Sequence, residues 1–354
     1  MTRLVGCALV MWLAACGDKA VEDETGGTLT EPTTTTSTTN TGTTGTTTTT
    51  GATATGTTTG TTTGTTGTTG TTGTGTTTGT SPTEPPRTLT NGRHNLTHKG
   101  VSRVFKVYFP ADLPVGAPLV VALHGYGSSA NTIQSYSGLD ALADVEAYGV
   151  LYPQAQQDDW GSRCWDMGYC RHDEDIDDPD FIRTLIELVR EDQGLDTVYL
   201  TGMSNGGDMT YRMACEASDL IAAAAPVTGC MMNWLQDTCA PGAPPPVLHI
   251  HGNNDRITLW DGDPAYYGGG YLGTLDSIGT FAGLHMADDY TTERVEDASD
   301  GSAYIHHQWA TADGGVPVQL YEIDGGGHDW PTGPPRYDFD SAALMWEFFR
   351  GVSR

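Results

Sequence analysis

Residues Thr197-Val198-Tyr199-Leu200-Thr201-Gly202-Met203-Ser204-Asn205-Gly206-Gly207 decide the fold. The first five read as a short buried strand. They run into a G-x-S-x-G pattern, and a helical stretch from Met209 to Ala217 follows. Between a strand and a helix this pattern makes a sharp turn that strains the Ser backbone and exposes its hydroxyl. Gly202 and Gly206 suit a place where the two backbones come close. A serine presented this way is a candidate nucleophile, and the segment implies a parallel strand feeding a helix.

Working outward, the same alternation repeats. Val101 to Phe109 reads as a strand, and Pro118 to Leu123 is a continuously apolar run suited to a strand buried on both faces. That run ends in His124-Gly125-Tyr126-Gly127. Gly149 to Pro153 reads as another strand. Phe181, Ile182, Leu185, Ile186 and Val189 recur at helical spacing and predict a helix from Asp180, preceded by Asp177 and Asp178, acids that favour a helix start. Pro246 to His251 and Val318 to Ile323 add strands, and Asp340 to Phe349 closes the chain with a helix. This order predicts a three-layer α/β domain with a mostly parallel sheet, whose ligands bind beyond the strands' C-terminal ends.

A serine nucleophile needs a base, and the base needs a carboxylate to orient it. After Ser204, the segment His251-Gly252-Asn253-Asn254-Asp255 ends one strand, and Gly325-Gly326-Gly327-His328-Asp329-Trp330 follows another. Asp255 as acid and His328 as base therefore fall on the same sheet edge as Ser204. Asp261 and Asp263 are alternative acids deeper in a loop. His249 and His251 share one strand face and read as structural, while His306 and His307 read as solvated. The backbone N–H groups of Asn205 and Tyr126 are the expected donors to a developing oxyanion.

Together, LHGYGSSA, YPQA with Trp160 nearby, the Asp177-Asp178-x-x-Phe181 helix start, TGMSNGGDMTYRMAC, HGNND and GGGHDWP resemble, in this order, the secreted polyhydroxybutyrate depolymerase/feruloyl esterase family. The resemblance runs from about residue 93 to the C-terminus. It implies an α/β-hydrolase fold, with Ser204 as nucleophile, Asp255 as acid and His328 as base. It also implies that Trp160 and Trp330 wall the acyl site. The implied activity is ester hydrolysis without metal or cofactor, on a cell-wall polysaccharide (feruloyl-xylan first) or on a polyester or short-chain ester. The Gly- and Asp-rich segment 261–300 and the positions of Cys164 and Cys170 depart from the family pattern, so substrate identity is where the resemblance says least. The rival reading is an inactive, surface-binding module on the same scaffold.

The 354 residues hold 17 Lys and Arg against 44 Asp and Glu, a net charge of −27, which argues against a nucleic-acid partner. It also disfavours polyanions such as pectin, within the range that salt allows. The acids between Asp173 and Asp180 lack the ligand spacing of a calcium loop and read as a solvated helix start.

The N-terminus reads as an export signal: Arg3, then an apolar run from Leu4 to Ala15 that is too short to span a bilayer. Leu13-Ala14-Ala15-Cys16 resembles a lipobox, which implies cleavage after residue 15 and acylation of Cys16. The anchor would leave the protein on the outer membrane or cell surface. Thr28 to Thr80 is almost all Thr and Gly and cannot bury enough apolar surface to fold. Residues 16–85 therefore read as a disordered tether spanning about 45–50 Å, with a monomeric catalytic domain over 86–354.

Of seven cysteines, Cys7 leaves with the signal and Cys16 takes lipid. Disulfides are expected among the other five. Cys230 with Cys239, flanking a short loop, is the first expected pair. Cys164 and Cys170 lie close together, but either could instead reach Cys215. One thiol is left over.

Overall fold

The computed structural model describes residues 28–30, 88–172, 176–296 and 302–352. The signal, Cys16, most of the Thr/Gly tether and Asp173 to Asp175 lie outside the described residues.

In chain order the elements are β1 (Thr28–Thr30), β2 (Gly92–His98), β3 (Val101–Tyr108), β4 (Leu119–Leu123), α1 (Ala130–Tyr136), α2 (Leu139–Glu146), β5 (Gly149–Gln154), α3 (Asp178–Gln193), β6 (Val198–Met203), α4 (Asn205–Glu216), β7 (Ile221–Val227), α5 (Asn233–Thr238), β8 (Val247–Gly252), α6 (Thr274–His285), β9 (Asp289–Glu296), β10 (Ala303–Ala310), β11 (Val318–Ile323) and α7 (Ser341–Arg350). One sheet holds all the strands, in the order β1-β2-β3-β5-β4-β6-β7-β8-β11-β10-β9. The run from β5 through β4, β6, β7 and β8 to β11 is parallel; β3 and β2 extend it by antiparallel pairing on one side and β10 and β9 on the other, and β1, inside the segment expected to be disordered, pairs parallel with β2. This is the expected α/β-hydrolase architecture.

Alternation along the central strands builds two cores. On β4, Leu119, Val121 and Leu123 face a core shared with α3, α4 and α6, while Val120 and Ala122 face a second core shared with α1, α2 and α7. Both faces of β4 are covered, which is why it reads as an unbroken apolar run. Helix α3 starts at Asp178, two residues before the expected Asp180, with Asp177 capping it by accepting from the Asp180 N–H at 3.1 Å. Among the described residues no helix is long and apolar enough to cross a membrane.

The cysteine pairing keeps the Cys164–Cys170 candidate and the leftover thiol but overturns the expected Cys230–Cys239 pair. The disulfides are Cys164–Cys170 and Cys215–Cys239, and Cys230 is a buried free thiol. Cys230 follows β7 into the core, where its Sγ lies 3.8 Å from the Thr274 hydroxyl of α6. Cys239 follows α5 and meets Cys215 near the C-terminal end of α4, so proximity in sequence gave way to a contact between segments further apart. The Cys215–Cys239 bridge joins residues 24 apart. Replacing both by Ala is expected to destabilise the domain by about 3 kcal/mol, chiefly through the freed unfolded chain. Urea unfolding measures this, and an unchanged midpoint would contradict it.

His306 and His307 are also placed differently. They lie on β10: His307 is buried, not solvated, and pairs with Glu322 at 2.8 Å, while half-buried His306 bonds the Gln319 side chain at 2.9 Å. The pairing of β10 between β9 and β11 gives both histidines these partners.

Candidate active site

Four strand ends meet at the site: the loop after β4 brings Gly125 and Tyr126, and Ser204 follows β6. The loops after β8 and β11 bring Asp255 and His328.

Ser204 has φ 57° and ψ −124°, a positive-φ conformation that costs a non-Gly residue about 1–3 kcal/mol. Two bonds hold it there: its N–H donates to Val227 O at 2.8 Å, and its carbonyl accepts from Asp208 N at 2.9 Å. The turn is tight enough that a Cβ on Gly206 would sit 2.2 Å from Leu123 O, and one on Gly202 would sit 2.3 Å from Gly206 O. That contact is the physical content of both glycines in the pattern.

The Asp255 carboxylate is buried and fully engaged. Oδ1 accepts from the N–H groups of Ile257 (2.7 Å) and Thr258 (3.0 Å), and Oδ2 lies 2.7 Å from His328 Nδ1 and 3.3 Å from His251 Nε2. Burial alone would raise its pKa. The bonds from His251 and His328 outweigh burial and hold it well below the usual carboxylate range. The carboxylate can only accept, so His328 carries its proton on Nδ1 and leaves Nε2 as the basic nitrogen.

The same reasoning fixes a chain behind the acid. His251 Nε2 faces two acceptors, the Asp255 carboxylate and Thr258 O at 3.0 Å, so it carries a proton. Its other ring nitrogen, Nδ1, lies 3.2 Å from His249 Nε2 and 3.3 Å from the Thr274 hydroxyl. His249 Nδ1 in turn lies 2.8 Å from Tyr211 Oη, and burial drives its pKa well below the usual range, keeping it uncharged. Tyr211, His249 and His251 thus form a buried line of donors aimed at Asp255.

The oxyanion donors have a matching frame. Among the described residues neither Tyr126 N–H nor Asn205 N–H has a hydrogen-bond partner. Asn205 N–H opens α4, whose N-terminal end carries positive partial charge. The peptide carrying Tyr126 N–H is held through its other end: Gly125 O lies 2.8 Å from His124 Nδ1 and 3.1 Å from Ser128 N. His124 accepts from Ala155 N–H at Nε2, and burial lowers its pKa to about 4, so it remains a neutral donor to Gly125 O.

Ser204 opens into a cavity of about 530 Å³. Its walls are aromatic: Tyr126, Trp160, Tyr169, Tyr266, Tyr267 and Tyr271. Trp160 is placed at this cavity as expected. Trp330 is not: it is buried in the second core, edge-on to Tyr136 at 5.9 Å. The family resemblance implied the cavity wall, but the chain turns into the core immediately after His328. The Tyr266 to Tyr271 wall was missed because it lies in the Gly- and Asp-rich segment, which has no readable period. Asn205 does more than donate its N–H: its side chain bonds Trp165 N and O (2.7 and 3.0 Å) and Tyr169 Oη (2.6 Å), fixing the 164–170 loop against α4.

Asp208, one turn after Ser204, also lines the cavity. It accepts from Tyr169 O–H at 2.6 Å and Cys230 N–H at 2.8 Å. Burial pushes its carboxyl up to about 7, against the pull of those donors. The folded state then holds a proton that the unfolded chain releases near pH ~4. Stability from this group therefore falls as pH rises from about 4 to about 7, by up to ~1.4 kcal/mol per unit. Asp208→Asn mimics the neutral acid and removes that slope. Its stability relative to wild type is expected to climb with pH across this window and then level off. Parallel stability curves from urea unfolding would refute this account.

A family model described as Esterase PHB depolymerase matches residues 104–239. NocK of Nocardia uniformis subsp. tsuyamanensis, named an esterase, is 31 % identical over 235 residues, covering 62 % of this chain and 67 % of that protein. Feruloyl esterase B of Piromyces equi is 27 % identical over 231 residues, covering 63 % of this chain and 41 % of that protein. This chain thus spans less than half the length of the Piromyces relative. The solved acetyl xylan esterase from Aspergillus awamori superposes with a TM-score of 0.54 at 18 % identity, over 73 % of this chain and 100 % of that one, which shows a shared fold.

Proposed function

The chain belongs to the Esterase PHB depolymerase family, and on that premise we propose that it is a serine carboxylester hydrolase acting on esters of xylan, feruloyl esters first. His328 takes the Ser204 proton as Oγ attacks the ester carbonyl. The oxyanion rests on the N–H groups of Tyr126 and Asn205. The alcohol leaves with the proton from His328, and water then cleaves the acyl-enzyme. Asp255 keeps the imidazole in its tautomer throughout.

The observation that carries this reading is the position of strained Ser204 at the base of an aromatic-walled cavity. Its size suits a planar acyl group. The relatives named for feruloyl and acetyl xylan esters support the polymer; the family's name supports a hydroxybutyrate polyester as the second substrate. The test is hydrolysis of methyl ferulate, acetylated xylan, p-nitrophenyl butyrate and a hydroxybutyrate oligomer, each beside Ser204→Ala. Turnover of the first two by the wild type alone supports the xylan reading. Turnover of the oligomer alone moves the substrate to polyester, and equal background from both proteins overturns the assignment.

The reading extends to residues before 86. Signal cleavage leaves Cys16 as an acylated N-terminus, and the Thr/Gly tether carries a monomeric catalytic domain at the cell surface. Acyl chains contribute ~0.8 kcal/mol per buried CH₂ to membrane attachment. Cys16→Ser is expected to move the protein into the soluble fraction; continued membrane partitioning of that variant would remove the lipid anchor from the account.

A further inference from the structure

Arg171 stands at the mouth of the Ser204 cavity and is the one Lys or Arg among the residues that line it. Its Nε donates to Tyr267 Oη at 2.8 Å. Its guanidinium carbon lies 5.5 Å from the Tyr267 ring centre and 5.9 Å from that of Trp160, within cation–π range of both. The backbone beneath it is tied down: Cys170 is cross-linked to Cys164, and Arg171 O accepts from Asp159 N at 2.8 Å. Arg171 forms no ion pair among the described residues. Asp208, the carboxylate that lines the same cavity, has its two oxygens occupied by Tyr169 and Cys230.

In a chain of net charge −27, this is a positive group held at the entrance to the nucleophile, and no acid among the described residues pairs with it. With Nε bonded to Tyr267, both Nη atoms are without a partner among the described residues and can grip one planar anion in bidentate fashion. We infer that Arg171, Tyr267 and Trp160 form a subsite for a carboxylate carried by the ester substrate a short distance from the scissile bond. On the reading of the chain as a xylan esterase, on which this rests, that carboxylate belongs to a uronic acid branch. The exposed Trp160 face beside the cation then covers the sugar ring. The free end of a hydroxybutyrate oligomer presents the same chemistry. A single carboxylate satisfies the site, whereas a polyanion meets one cation and the repulsion of the remaining surface.

The test uses two substrate pairs, each matched except for the charge. One is an acetylated xylo-oligosaccharide with a uronic acid branch, beside its carboxyl methyl ester. The other is a hydroxybutyrate trimer with a free carboxylate, beside its methyl ester. Binding is measured by calorimetry to Ser204→Ala, with and without Arg171→Gln and Arg171→Lys. The free-acid member of one pair is expected to bind about ten-fold or more tighter than its methyl ester. Arg171→Gln should abolish that ratio, Arg171→Lys should keep part of it, and added salt should shrink it. The pair that shows the preference identifies the source of the carboxylate. An equal ratio before and after Arg171→Gln, in both pairs, overturns the subsite. Hydrolysis of the two methyl-ester members by the protein with Ser204 intact is a separate readout: its absence counts against the esterase reading and leaves the binding ratio to decide the subsite.

Discussion

Ser204→Ala is expected to lower kcat/KM for ester hydrolysis by about 10⁴-fold or more while leaving the fold intact. Without Oγ no acyl-enzyme forms, and only the oxyanion donors and the binding cavity remain to assist water. Alanine keeps a Cβ, so the strain at φ 57° persists and stability should barely move. Ser204→Gly separates the two properties. It is equally inactive, but glycine adopts this backbone without penalty, so it should be more stable by about 1 kcal/mol. Ester turnover and thermal unfolding of the three proteins read both effects. Retained activity in Ser204→Ala would remove the nucleophile assignment. A Ser204→Gly variant no more stable than the wild type would show that the elbow stores no strain.

Gly206→Ala is expected to be the most damaging single methyl group in the domain. The new Cβ would meet Leu123 O at 2.2 Å and His124 O at 2.7 Å, both of them backbone atoms. Backbone atoms cannot rotate aside as a flexible side chain would, so α4 must lift away from β4 or the turn must open. Either response removes Asn205 N–H from its place opposite Tyr126 N–H. A cost of at least ~3 kcal/mol follows, together with loss of activity. Gly283→Ala is the control. That glycine is exposed near the end of α6, a Cβ there meets nothing within 4 Å, and alanine should stabilise the helix by about 0.5–1 kcal/mol. Similar melting temperatures for the two variants would refute the close-packing account.

What could be read in the sequence was local. The passage from β6 through Ser204 to α4 needs only neighbouring residues to specify it, and so does the position of Asp255 and His328 at strand ends. What could not be read depended on contacts between distant segments. Cys239 pairs with Cys215 because the fold brings the end of α5 to the end of α4, and nothing in the spacing of either cysteine reports that. Trp330 sits two residues from His328, yet it packs against Tyr136 of α1 in the opposite layer. The Ala-rich run of β7 has weak strand propensity and becomes a strand because both of its faces are buried. His251 was legible as structural. Its contact with the Asp255 carboxylate follows from strand geometry that the motif does not encode.

The aromatic wall of the cavity comes entirely from connecting segments: the turn holding Tyr126, the stretch from Trp160 to Tyr169, and the stretch from Tyr266 to Tyr271. No strand of the sheet contributes a ring to it. Ser204, Asp255 and His328 answer to the sheet, while the surface that meets the acyl group answers to loops. Evolution can therefore rewrite substrate choice without disturbing the chemistry. Exchanging residues 257–271 between relatives should transfer acyl preference as a module, provided that Ile257 and Thr258 keep the backbone N–H groups that hold Asp255.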